Sequence, residues 1–228
     1  MSKYLETIHF IREQFPGKDF VPLHEPKFNG NEKSYLLETI DSTYVSSVGP
    51  FVDKFEEMMA DLSGTSKTIA VVNGTSALQV ALRLVGVNNG DEVITQALTF
   101  VATVNAILYN SAQPIFIDVD LDTMGLSPRA VATFLEEFGE IRDGFCFNKK
   151  TNKKIAACMP MHTFGFPVDL EELIIVCNNW NIPIVEDAAE SMGSEYKNRP
   201  VGSFGKLGVF SFNGNKIITS GGGGAIVT

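Results

Sequence analysis

The chain holds few of the residues on which disulfide, metal and nucleic-acid chemistry depend. Its 228 residues include only three cysteines and three histidines. Cys146, Cys158 and Cys177 form no CxxC pair and no even-numbered framework, so incidental buried thiols in a reducing compartment are expected. His9, His24 and His162 are scattered without HExxH spacing, and no metal site is expected. Lys and Arg number 18 against 27 Asp and Glu, a formal charge of -9, whereas a nucleic-acid binder shows a basic face. Glu6 follows Met1-Ser2-Lys3-Tyr4-Leu5 and no continuous apolar stretch comes after it, so no secretory leader is expected. No run approaches the length needed to span a bilayer. A cytoplasmic location, with neither membrane nor nucleic acid as partner, is the expectation.

What remains is the composition of an ordinary globular protein, 44% hydrophobic and 20% charged, long enough for one sizeable domain. Residues 1–33 read as an N-terminal arm and 34–228 as the main domain. Two amphipathic helices are expected near 34–46 and 51–62. Beyond them, apolar runs at 68–72, 92–95, 114–119, 155–161, 182–186, 207–212 and 225–227 read as strands. Helical patterns near 76–86, 100–109, 127–139 and 169–180 lie between several of them. Strands apolar throughout, alternating with helices, predict a mainly parallel seven-stranded α/β sheet covered on both faces. Residues 139–154 are charged and read as a solvated excursion, while 189–205 suits a β-hairpin. Thr228 falls within the last strand, as in a fragment of a longer protein.

Three signals in the last third carry chemistry. Ile184-Val185-Glu186-Asp187 is a strand ending in a carboxylate, where ligands of open α/β sheets bind. Phe210-Ser211-Phe212-Asn213-Gly214-Asn215-Lys216 is a strand and turn that end in a hydroxyl and an amine. Together an acid, a hydroxyl and a lysine match what holds pyridoxal phosphate: acid to the ring nitrogen, hydroxyl to the phosphate, amine to the aldehyde. Ile217 and Ile218 beside Lys216 predict a partly apolar seat for it. Gly74-Thr75-Ser76 opens a helix after a strand, a ready phosphate site, though a plain helix cap is the commoner meaning. Phe100 follows the next strand and is placed to stack on a flat ring, against a default core role. Glu190, three residues beyond Asp187, is within reach of the ring's phenolic oxygen or else simply exposed. For His162 a structural role is the better reading.

These stretches resemble the DegT-type, fold-type I pyridoxal-phosphate aminotransferases acting on nucleotide-linked keto sugars. The likeness runs through Gly74–Leu78, Thr99–Thr103 with Asn105-Ala106-Ile107, Phe116–Asp120, His162–Gly165, Glu186–Glu190 and Ser211–Lys216, in order. Pro22–Pro26 and Tyr44–Gly49 look most like the subgroup making 4-amino sugars for legionaminic-acid or bacillosamine-type glycans. The resemblance implies the large domain of that fold, with a smaller C-terminal domain absent. It also implies Lys216 as covalent anchor and proton shuttle, Asp187 at the ring nitrogen, and Phe100 on the ring. Gly74, Thr75, Ser76 and Ser211 are implied at the phosphate, and Glu190 beside the phenolic oxygen, where relatives often carry Gln or His. The implied reaction moves an amino group, from glutamate, to C4 of a UDP-linked 4-keto-6-deoxy sugar for surface-polysaccharide synthesis, by a homodimer. Related dehydratases carry histidine where Lys216 stands, so its presence favours transamination.

Two alternatives remain open on the residues. A nicotinamide- or nucleotide-binding enzyme lacks its loops here: there is no GxGxxG between strand and helix, and Leu207 follows Gly205-Lys206 where a P-loop needs Ser or Thr. A truncated, inactive cofactor-binding remnant or dimerising scaffold is the other.

Overall fold

A computed structural model describes residues 3–228, so Met1 and Ser2 of the expected arm lie outside the described residues. The first elements are α1 (Leu5–Gln14), α2 (Glu32–Ser42) and α3 (Pro50–Ser63). Neither α1 nor α2 buries a residue, and α3 buries only Met59 and Ser63. Helix α3 starts at a proline, whose missing N–H costs nothing in a first turn, and ends at Gly64 in the left-handed region.

The alternating part follows as β1 (Thr68–Val71), α4 (Gly74–Leu84), β2 (Glu92–Gln96), α5 (Val101–Tyr109), β3 (Gln113–Ile117) and α6 (Pro128–Phe138). Then come β4 (Gly139–Arg142), β5 (Phe145–Asn148), β6 (Lys153–Cys158), α7 (Leu170–Asn179) and β7 (Val185–Asp187). The chain closes with β8 (Glu195–Tyr196), β9 (Arg199–Pro200), β10 (Leu207–Ser211) and β11 (Gly224–Val227). Three helices begin at side-chain caps. Asn73 accepts from Ser76 N–H at 2.8 Å, Ser127 from Ala130 N–H at 3.3 Å, and Asp169 from Glu172 N–H at 3.3 Å.

The sheet departs from expectation. Each of the seven expected strands is present, but they are not one seven-stranded parallel sheet. One sheet of four runs β1-β11-β10-β7 and one of five runs β3-β2-β6-β5-β4. Single parallel bridges, Cys158 to Ile184 and Met161 to Asp187, link the two. Both sheets are mixed: β11 lies antiparallel to β1 and β10, and β5 antiparallel to β4 and β6. The reason for β11 is its connection. Residues 212–223 contain no helix, and a parallel return needs a long crossover.

The expected excursion at 139–154 is mostly exposed, but it also holds regular structure. Its first half is the hairpin β4–β5, turning at Asp143-Gly144 with φ of 50° and 81°. Positive φ at both turn residues is the two-residue geometry that Asp-Gly favours. Inside, Asn148 donates to Glu92 at 2.9 Å and pins the segment to β2, while Asp143, Lys149 and Lys150 are exposed as expected. The expected hairpin within 189–205 forms as β8–β9. All three cysteines are buried, and burial raises the Cys146 thiol to about 11.

Candidate active site

The end of β7, the end of β10 and the starts of α4 and α5 converge on one cavity of about 330 Å³. Each wall has a local cause. At α4, the Asn73 cap leaves the first-turn amides pointing past Gly74 and Thr75. Gly74 is required by a close approach: a Cβ there would stand 2.8 Å from the Ser211 Cβ at the end of β10. At α5, Phe100 occupies the N-cap position in extended conformation, and the residue is 56% exposed, on the cavity wall rather than in the core.

Asp187 ends β7, is buried, and is among the residues that line the cavity. Thr103 on α5 donates to its Oδ2 at 2.6 Å, and Ala189 N–H to Oδ1 at 3.2 Å. Burial still wins over these bonds and over the more distant Lys216 charge, so this carboxyl sits above the usual range. A cationic N–H donor in the cavity would favour the ionised form of this carboxylate.

Lys216 reaches the same cavity from the turn after β10, where its N–H bonds Asn213 C=O at 3.0 Å. Its side chain is only 9% exposed. The amine donates to Glu190 Oε1 at 3.1 Å and lies 5.4 Å from the centroid of the Phe100 ring. The apolar seat expected from Ile217 and Ile218 is not what holds it, since these are 60% and 55% exposed. Glu190 and Phe100 do that instead.

Gly74, Thr75, Phe100, Asp187, Glu190, Ser211 and Lys216 thus all line the cavity. Ser76 does not, and its backbone N–H is taken by Asn73. His162 is buried outside the cavity. Val168 N–H donates to its Nδ1 at 3.3 Å, so the proton belongs on Nε2, facing Glu186 Oε2 at 3.2 Å. Three contributors were missed from sequence. Thr103 carried a signal, a hydroxyl one helical turn beyond Thr99, to which it is bonded at 2.7 Å. Asn73 carried another, as an N-cap residue before Gly-Thr-Ser. Glu186 carried none, because a carboxylate inside an apolar strand reads only as a neighbour of Asp187. Among the described residues, no group of three or more His, Cys, Asp or Glu side chains is gathered to hold a metal.

An acid, a helix start beside a hydroxyl, an aromatic face and a shielded amine in one cavity suit a flat, phosphorylated aldehyde with a basic ring nitrogen. Comparison with known proteins agrees. The profile of the DegT/DnrJ/EryC1/StrS aminotransferase family matches residues 26–228. The chain belongs to that family. As a member of the DegT/DnrJ/EryC1/StrS group it is related to pyridoxal-phosphate-dependent aminotransferases, and pyridoxal phosphate is the cofactor that membership implies.

It is 41% identical over 206 residues to EpsN of Bacillus subtilis (strain 168), named provisionally as a pyridoxal phosphate-dependent aminotransferase. That match covers 90% of this chain and 50% of EpsN. It is 39% identical over 209 residues to the GDP-perosamine synthase of Escherichia coli O157:H7, covering 92% and 53%. The structure of DesI with its TDP-sugar product superposes with a TM-score of 0.76 at 31% identity, over 90% of this chain and 48% of that one. The chain therefore spans about half the length of the relatives that it matches.

Proposed function

We propose that the protein is the cofactor-binding part of a sugar aminotransferase. It transfers an amino group, from glutamate, to C4 of a nucleotide-linked 4-keto-6-deoxy sugar for surface-glycan synthesis in the cytoplasm. The observation that carries this reading is the shared cavity of Asp187 and Lys216, with the α4 start and Ser211 beside them.

When bound, pyridoxal phosphate supplies a carbonyl that captures amines and a ring that accepts the electron pair freed when a C–H bond breaks. Lys216 would hold it through the amine, and that amine would also be the base that moves a proton from the donor's α-carbon and the acid that supplies one at the sugar's C4. Asp187, oriented by Thr103, would keep a positive charge on the ring nitrogen. Phe100 would offer an aromatic face to the ring. Gly74, Thr75 and Ser211 would hold the phosphate, with Ser76 supporting them through the helix cap. Glu190 would be the partner of the phenolic oxygen.

UDP is the nucleotide that the Pro22–Pro26 and Tyr44–Gly49 likeness supports. GDP is its competitor, through the perosamine synthase relative. A homodimer is proposed on the family likeness. The test offers glutamate, pyridoxal phosphate and either UDP- or GDP-linked 4-keto-6-deoxy sugar, and follows amino-sugar formation by mass spectrometry. Product is expected with the native protein and none with Lys216→Ala. Equal product from both would remove Lys216 from the chemistry.

A further inference from the structure

Behind Asp187, on the side of β7 away from the cavity, stands a second carboxylate with no part in the chemistry above. Glu186 is fully buried. It accepts four hydrogen bonds: Gly202 N–H at 2.9 Å, Phe204 N–H and Gly205 N–H at 2.6 Å each, and His162 Nε2–H at 3.2 Å. Three amides of one loop, those of Gly202, Phe204 and Gly205, converge on this anion and form a nest-like seat filled from within the chain.

The nest exists because two glycines let the loop press on the sheet. A Cβ on Gly208 would lie 2.0 Å from Gly202 C=O, and one on Gly205 would lie 2.7 Å from Ile184 C=O. Gly208 is the β10 residue paired with Glu186, and Val209 the one paired with Asp187. On the other flank, His162 N–H bonds Asp187 C=O at 3.2 Å and Asp187 N–H bonds Pro160 C=O at 2.9 Å. One residue that holds the Asp187 backbone, His162, is therefore also held by the Glu186 carboxylate. Successive strand residues face opposite ways, so fixing the Glu186 carboxylate fixes the direction in which that of Asp187 leaves the strand.

We infer that Glu186 is the positioning residue for Asp187: its hydrogen bonds to the 202–205 loop and His162 hold the Asp187 carboxylate where a ring nitrogen meets it. Glu186 touches neither cavity nor ligand and acts only through its neighbour. The inference rests on the proposed role of Asp187 at the ring nitrogen.

The test measures binding of two probes to the purified protein by absorbance and fluorescence titration: pyridoxal phosphate, and its 1-deaza analogue with carbon in place of the ring nitrogen. Native protein should prefer pyridoxal phosphate. In Glu186→Gln that preference should fall about tenfold, the low end for losing a partner that orients a ligand-binding group, while the analogue binds as before. In Asp187→Asn the preference should vanish, and adding Glu186→Gln should lower it no further.

Equal weakening of both probes in Glu186→Gln would make Glu186 a merely structural residue and overturn the inference. So would an additive double variant. If the native protein itself shows no preference, the role of Asp187 falls, an outcome distinct from either. Should Glu186→Gln fail to fold, His162→Phe removes one of the four bonds and carries the same comparison. A selective loss of about threefold is then expected, within the range of a single net hydrogen bond, and a loss equal for both probes overturns the inference.

Discussion

Glu186 and Asp187 are adjacent, equally hidden from water, and displaced in opposite directions. For Glu186, burial pushes the carboxyl up, but His162 and the Gly205 and Gly202 amides outweigh it and hold the group below its ordinary 4.5. For Asp187, burial outweighs its bonds to Thr103 and Ala189, and the group stays above its ordinary 3.8. The signs give opposite pH effects. The contribution of Glu186 to stability is fully present above pH 4.5 and disappears as pH falls through its lowered folded value. The melting-temperature gap between native protein and Glu186→Gln should thus be widest near neutrality and close below about pH 4.5; a gap unchanged down to pH 3 would refute this. Asp187 behaves inversely, costing stability as pH climbs from 3.8 through its raised value. Cofactor-free Asp187→Asn should therefore melt no lower than native protein at pH 7. With pyridoxal phosphate added, it should gain less, by about 1.4 kcal/mol for each tenfold lost in affinity. A large loss without cofactor would mean that this carboxylate serves folding.

At the scale of elements, the cavity depends on two close approaches. Gly74→Ala puts a methyl carbon 2.8 Å from Ser211 Cβ, which forces α4 away from β10. The expected cost is about 1–3 kcal/mol, together with weaker phosphate binding, since both residues line the cavity. Gly208→Ala meets backbone, a carbonyl at 2.0 Å, and should lower the melting temperature more than Gly74→Ala does. The reverse order in thermal melts would argue against the nest behind β7.

Much of this was legible in sequence. Apolar runs ending in Asp187 and Ser211, and Gly-Thr-Ser after β1, pointed to elements that the fold brings to one cavity. Strand direction was less legible, because a glycine-rich loop between β10 and β11 does not reveal which way the chain returns. The β4–β5 hairpin was masked by lysines around it, although Asp143-Gly144 held its turn signal. Thr103 and Glu186 were hidden for a deeper reason. Their partners lie 84 residues and 16 to 24 residues away, in contacts that only tertiary packing creates.

At the scale of the whole molecule, part of the exposed apolar surface lies near the N-terminal end. Leu36, Leu37, Val45 and Val48 are each more than three-fifths exposed. An apolar hollow of about 760 Å³ lies between α3, Tyr35, Met192 and Ile218. Among the described residues no helix is long and apolar enough to cross a membrane. The proposed homodimer predicts concentration-dependent self-association in analytical ultracentrifugation, weakened by Leu36→Glu; a monomer at every concentration would dismiss it for this chain. In the proposed site one shielded amine, Lys216, captures an aldehyde across from the buried Asp187. The decisive measurement is incubation with pyridoxal phosphate, reduction with borohydride and peptide mapping. A single stoichiometric label on Lys216, absent from Lys216→Ala, is expected. A label spread over other lysines, or no label at all, contradicts it.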